Sequence, residues 1–368
     1  MSGSEFGKIL KLTTWGESHG PALGAVLDGF PAGMDLCEED IQKYLDRRKP
    51  GRSPVTTSRK EADQVRILSG VFEGKTTGTP ISFLIGNTSQ RSGDYGNLKD
   101  CFRPGHADYG FYAKYGIRDY RGGGRSSGRE TAARVCGGAA AAKLLSLMGI
   151  DVMAFARSIG PVEIDEKNFD RRLILETPTA MPDAAANERA LAYMGQCMEE
   201  KDSSGGVIEV RISSLPAGIG EPVFRKLDAE LAKALMSIGA VKAVEIGDGI
   251  LAGRARGSEN NDAFAVSEEG RVVKKTNHAG GILGGMSDGS PIILRAHVKP
   301  TPSIFREQDT VDLQGQERKL TIGGRHDPVI VPRAVVVAEC MCALTLLDLM
   351  LENMSARAER VVDFYRKY

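Results

Sequence analysis

Few side chains in this 368-residue chain can move protons at neutral pH. There are five histidines: His19, His106, His278, His297 and His326. Four of them lie among glycines and charges, as in GESHG (16–20) and RPGHAD (103–108), where a ligand can approach closely; His297 lies in a strand-like run and reads as structural. His19 and His106 are the candidates for general acid–base work. No HxH, HxxxH or HExxH spacing occurs and the cysteines are remote from the histidines, so no metal site is expected. The second chemical signal is arginine. Arg47, Arg48 and Arg52 cluster in DRRKPGR, and Arg103, Arg118, Arg121, Arg125, Arg129 and Arg134 fall between 103 and 134. The stretch GGGRSSGRE combines glycine, arginine and a helix start, which together make an anion site for phosphate or carboxylate. It is neither a Walker A loop nor a GxGxxG fingerprint.

These residues need rigid elements to hold them. Short strands bounded by Gly, Pro, Asn or Asp are read in KILKLTTWG, ALGAVLDGF, DQVRILSG and TPISFLIGN, with a helix over about 36–47. Ser127 followed by Glu130 has capping-box spacing and predicts a helix from 127 to about 148. Its Gly/Ala run suits a crowded central position. Further helices are read at 187–199, 223–238 and 333–353, with strands in GGVIEVRISS, AVKAVEIGDG and PIILRAHVKP; 254–281 reads as a mobile polar loop. VLDGFPAG and VRISSLPAG, each followed by a helix, echo one another and suggest two related halves within one domain.

Bulk composition narrows the function. Lys plus Arg equals Asp plus Glu at 48 each, aromatic residues are 6% and there is one tryptophan. An RNA-binding module working through the arginine loops normally carries a basic excess or aromatic platforms, so no nucleic-acid partner is expected. Hydrophobic residues reach 41%, enough for a sizeable core. The six cysteines form no CxxC pair and read as reduced packing residues. With no signal-like start and no run of 18 apolar residues read, the expectation is a cytoplasmic protein without a membrane span.

Taken together, GESHG, DGFPAG (28–33), DRRKPG (46–51), ILSGVFEGKTTGTPI (67–81), RPGHAD, YRGGGRSSGRETAARV (120–135), the 215–249 stretch, NHAGGILGGMSDG (277–289), KPTPSI (299–304) and GRHDP (324–328) resemble, in order and spacing, the chorismate synthase family. The resemblance implies an α+β fold, a β-α-β sandwich with a helical core between antiparallel sheets, in a homotetramer. It implies a flavoprotein lyase of aromatic amino-acid biosynthesis. The reaction is a 1,4-elimination of phosphate from 5-enolpyruvylshikimate 3-phosphate, requiring reduced FMN without net redox change.

Carried over by position, the resemblance puts His106 at the flavin pyrimidine edge and has His19 assist phosphate departure. Asp327 with Ser18 becomes a relay for the C6 proton. Arg48, Arg103 and Arg129 become a clamp for substrate or NADP. Arg125, Ser126, Ser127, Gly239, Ala240, Gly284, Lys299, Pro300, Thr301, Pro302, Ser303 and Arg325 become flavin contacts. NADPH remains a candidate reductant. Many members carry an arginine where this chain has Pro54, with Arg52 nearby. The alternative enzyme is an FMN- and NAD(P)H-dependent flavin reductase.

Overall fold

Period-two alternation builds both sheets. The structure, a computed structural model, describes residues 3–51, 61–88, 98–324 and 327–367. In the first sheet, β1 (Glu5–Phe6), β2 (Lys11–Gly16), β3 (Ala22–Asp28), β4 (Val65–Ser69) and β5 (Ile81–Gly86) lie in the antiparallel order β1-β2-β3-β5-β4. Leu12, Leu23, Ala25, Leu27, Ile81, Phe83 and Ile85 are buried. The second sheet contains β6 (Asp151–Ile159), β7 (Val162–Glu163), β8 (Gly206–Ser213), β9 (Val241–Ile246) and β10 (Ile292–Val298), ordered β9-β10-β8-β6-β7. Ile292, Leu294, Ala296 and Val298 point inward from β10, paired with the inward residues of β8. Between the sheets run α1 (Glu38–Arg48), α2 (Thr131–Leu147), α3 (Leu227–Met236) and α4 (Val331–Asn353). One continuous apolar core joins both sheets to these helices. This is the β-α-β sandwich that the family resemblance implies.

The echo between the two PAG segments has a structural basis. β2-β3-α1-β4-β5-α2 and β6-β8-α3-β9-β10-α4 follow the same path, and the orders β2-β3-β5-β4 and β6-β8-β10-β9 coincide. A PAG turn joins β3 to α1 and β8 to α3.

Equivalent helices α2 and α4 pack against each other at the Gly/Ala run. A Cβ on Gly138 would lie 2.2 Å from Cys340 Cβ and 2.7 Å from its carbonyl oxygen, whereas one on Gly137 would meet only the tip of Leu12, at 2.6 Å. Gly138→Ala is therefore expected to destabilise the protein by about 1–3 kcal/mol despite alanine's better helix propensity, because helix backbone must move apart. Gly137→Ala should cost much less. Urea denaturation of both variants checks the contrast.

Three readings change. Against the expectation of no such run, α4 is long and apolar enough to cross a membrane; here nearly all of it is buried within the protein, and its apolar circumference serves the core. The 254–281 stretch is ordered into a helical turn, Gly257–Asn260, and a hairpin, Phe264–Val266 with Val272–Lys274. Buried Asp262 gathers it, accepting from Lys274 Nζ (3.1 Å), Thr276 Oγ1 (2.7 Å), His278 N (2.7 Å) and Ala279 N (3.0 Å). At 127–131 the Ser127 hydroxyl does cap the Arg129 N–H, at 3.3 Å, but Glu130 pairs with Arg134 rather than reaching back to close a box.

Candidate active site

The ends of all four core helices meet at one cavity of ≈ 530 Å³. The starts of α2 and α4 face it through Thr131, Ile330, Arg333 and Ala334, and the ends of α1 and α3 through Arg48, Pro50, Ser237 and Ile238. Loops supply the chemistry. Gly122, Gly123 and Gly124 all have positive φ (67°, 93° and 55°), so the chain turns tightly between two histidines. A Cβ on Gly122 would collide with His19 Cδ2 (2.7 Å) and Ser18 Oγ (2.9 Å). One on Gly123 would collide with His106 Cε1 (2.9 Å) and Nε2 (3.1 Å). His19 and Ser18 enter from the loop after β2, and His106 from the loop before the helix Asp108–Tyr115.

The arginines are buried in ion pairs. Arg48 and Arg129, 2% and 5% exposed, share the buried carboxylate of Asp63. Arg48 Nη2 donates to it at 2.7 Å and Nη1 to Gly128 O at 3.2 Å; Arg129 Nε donates to Asn87 Oδ1 at 2.9 Å. Burial opposes ionisation of Asp63, but the two guanidiniums hold its pKa down to about 2. Arg103 forms a fork with Asp108, at 2.8 and 2.7 Å. Asp327 pairs with Arg333, whose Nε also donates to Arg48 O at 3.0 Å. Arg134 is paired with Glu130. Two lining cations donate their hydrogen bonds only to neutral oxygens: Arg125 to Gly16 O, Thr14 O and the Thr14 and Ser4 hydroxyls, and Lys299 to Gly105 O. They are the uncompensated positive charge at the site among the described residues. Burial pushes the Lys299 ammonium below its ordinary value, with Lys242 adding to the effect. Burial lowers His106 as well, reinforced by Arg103 and Lys299 against the opposing pull of Asp108.

Sixteen of the residues singled out in the sequence line this cavity: Ser18, His19, Arg48, Arg103, His106, Arg125, Ser126, Ser127, Arg129, Gly239, Ala240, Lys299, Thr301, Pro302, Ser303 and Asp327. Pro300 and Gly284 do not. Pro300 follows the end of β10 and packs near Gly205; Gly284 forms the turn between Ile282–Leu283 and Met286–Ser287, with φ 61°. Arg52, Pro54, Arg325 and His326 lie outside the described residues. His278 is engaged with Asp248 at 2.7 Å, away from the cavity, and His297 of β10 lies 3.3 Å from Glu245 of β9. Sequence reasoning missed Glu61, Asp63 and Arg333. Only the charge of EAD (61–63) hinted at the first two, and an arginine in the first turn of an apolar helix marked the third.

The chorismate synthase family model matches residues 10–351. The chain belongs to the chorismate synthase family. It is 59% identical to the chorismate synthase of Agathobacter rectalis over 367 residues, covering 100% of both chains, and 55% identical to that of Methanocella arvoryzae over 356 residues, covering 96% of this chain and 95% of the other. A crystal structure of a chorismate synthase superposes with a TM-score of 0.75 at 33% identity, covering 98% of this chain and 99% of the other. The activity is the family's: an FMN-dependent lyase converts 5-enolpyruvylshikimate 3-phosphate to chorismate.

The cavity suits that cofactor. A flavin mononucleotide presents a flat ring with a polar edge and a phosphate. The positive-φ glycines leave room where a side chain would fill the space, and the Thr301 hydroxyl is buried there without a hydrogen-bond partner. Ser126, Ser127, Ser303, Arg125 and Lys299 add hydroxyl and cationic donors.

Proposed function

We propose that the cavity at the helix ends is the catalytic site and that its two histidines divide the proton work. One observation carries this reading: His19 and His106 stand on either side of a three-glycine turn and face one arginine-lined space. Arg125, Ser126, Ser127, Gly239, Ala240, Lys299, Thr301, Pro302 and Ser303 hold FMN. Reduced FMN, when bound, supplies the electron density that lets the C–O bond break without net redox change. His106 holds a proton at the flavin's pyrimidine edge. Burial and two neighbouring cations, against the pull of Asp108, lower its pKa and favour the neutral ring; negative charge arriving nearby raises that pKa and draws the proton in. His19 gives a proton to the departing phosphate. Asp327, fixed by Arg333, and Ser18 hold the proton leaving C6. Arg48, Arg103 and Arg129 present preset guanidinium faces to the substrate's phosphate and carboxylates. The enzyme works as a homotetramer in the cytoplasm.

The test is an anaerobic assay with substrate and dithionite-reduced FMN. Chorismate is expected with reduced FMN, none is expected without flavin, and FMN should not be consumed stoichiometrically. Equal activity without flavin would sink the reading. In a second arm, NADPH and FMN alone replace dithionite. Turnover there marks a chain that reduces its own flavin; its absence marks an external reductase.

A further inference from the structure

We propose that Asp108 is a positioning residue that keeps the His106 proton on Nδ1 and so presents Nε2 to the cavity, while the same carboxylate neutralises Arg103. The inference rests on the reading of His106 given above. Asp108 opens the helix Asp108–Tyr115 and is 3% exposed. Its Oδ2 accepts from Arg103 N (3.1 Å) and Nε (2.8 Å), and its Oδ1 from Arg103 Nη2 (2.7 Å). Arg118 Nη1 stands 3.7 Å from Oδ2. The carboxylate is thus anchored from several sides by its own RPGHAD loop and by Arg118, and it cannot turn away. Oδ1 also lies 2.9 Å from His106 Nδ1, in a bent contact.

The chemistry follows from donor and acceptor types. An ionised carboxylate only accepts, so it favours a hydrogen on the nearer ring nitrogen. Burial opposes the charge on Asp108, yet the bonds from Arg103 and the close His106 ring keep its pKa far below the usual carboxylate range. In a neutral imidazole with hydrogen on Nδ1, Nε2 carries the lone pair. Nε2 is the nitrogen beside Gly123 and the Ser126 loop, on the cavity wall. The charged groups around the ring are Asp108 and Arg103 from its own loop and Lys299 from the segment after β10. Asp108 is the only one of these able to accept from Nδ1.

Two measurements test this. Histidine ring-nitrogen NMR of the wild-type protein, labelled with ¹⁵N-histidine at a pH where His106 is neutral, should show a protonated Nδ1 and a bare Nε2. His106→Ala identifies the signal. The reverse tautomer overturns the proposal, even where Asp108→Asn fails to fold because Arg103 has lost its counter-ion. Where that variant folds, Asp108→Asn should lower kcat about 10²-fold with oxidised-FMN Kd within about three-fold. In a His106→Ala background the same change should add less than about three-fold, because its effect passes through the ring. Full additivity overturns the proposal. Wild-type kcat in His106→Ala would instead remove His106 from the mechanism, a separate outcome.

Discussion

Replacing His106 by alanine lowers kcat for chorismate formation by about 10²- to 10⁴-fold, with oxidised-FMN affinity nearly unchanged. The expectation comes from placement. The ring is mostly buried, borders a turn that leaves no room for a side chain, and is tuned by two cations and a carboxylate. Its pKa is lowered, so the fraction able to donate in the free enzyme falls as pH rises through a value below 6.5. A limb in kcat/KM tied to that donor should vanish in the variant. His19→Ala should lose a similar factor at another step. Single-turnover kinetics following phosphate release and the flavin spectrum should show slowed phosphate departure for His19→Ala and an altered flavin signal for His106→Ala. Wild-type rates in either variant remove that histidine from the mechanism.

The second large effect is on stability. Asp63→Asn should destabilise the protein by about 3–5 kcal/mol, since two buried guanidiniums would lose the one carboxylate they share. The pH dependence follows the same contact. The Asp63 pKa is depressed from 3.8 to about 2, so its contribution is fully present above pH 4 and is lost as pH falls from about 4 to about 2. That shift corresponds to about 2 kcal/mol. The substitution costs more than acidification because asparagine also puts an NH2 donor where one carboxylate oxygen accepts from a guanidinium. Urea denaturation of both proteins at pH 7 and at pH 3 checks this: the wild type should lose stability at the lower pH, and the variant should start lower and change less from this source. An Asp63→Asn protein as stable as wild type would show that the arginines are neutralised elsewhere.

Much of the scaffold was legible because its signals are local. Alternating apolar residues gave the strands, and the Ser127 start and Gly/Ala run gave α2. The paired PAG turns gave the repeat, which needed only the strand order to become a rule of the fold. His19 and His106 were legible because glycine beside a polar group is a local pattern too. The carboxylates were not. Asp63 meets Arg48 fifteen residues away and Arg129 sixty-six away, so in sequence it resembles surface charge. Asp262 was hidden for the same reason: the residues around it are polar, and the order of 254–281 comes from one buried side chain gathering distant backbone N–H groups. The apolar circumference of α4 could not by itself reveal that a second sheet, and not lipid, surrounds it.

The duplicated path also has an electrical side. α2 and α4 occupy equivalent places in the two repeats, and Thr131 and Arg333, both in first turns, open on the same cavity, while Gly138 and Cys340 meet one helical stretch further on. The two helices therefore run side by side in the same direction. Each carries the equivalent of about half a positive charge at its start. Their aligned backbones deliver two such ends to the cavity proposed above to hold and release the phosphate. This part of the field belongs to the fold rather than to any ionisable group: it does not titrate, no single side-chain substitution removes it, and it is already in place when the substrate arrives. At the far end of α4, Lys8 Nζ pairs with Glu352 and Arg225 with both Asp348 and Glu352, so the two carboxylates beside the negative pole are matched by two cations.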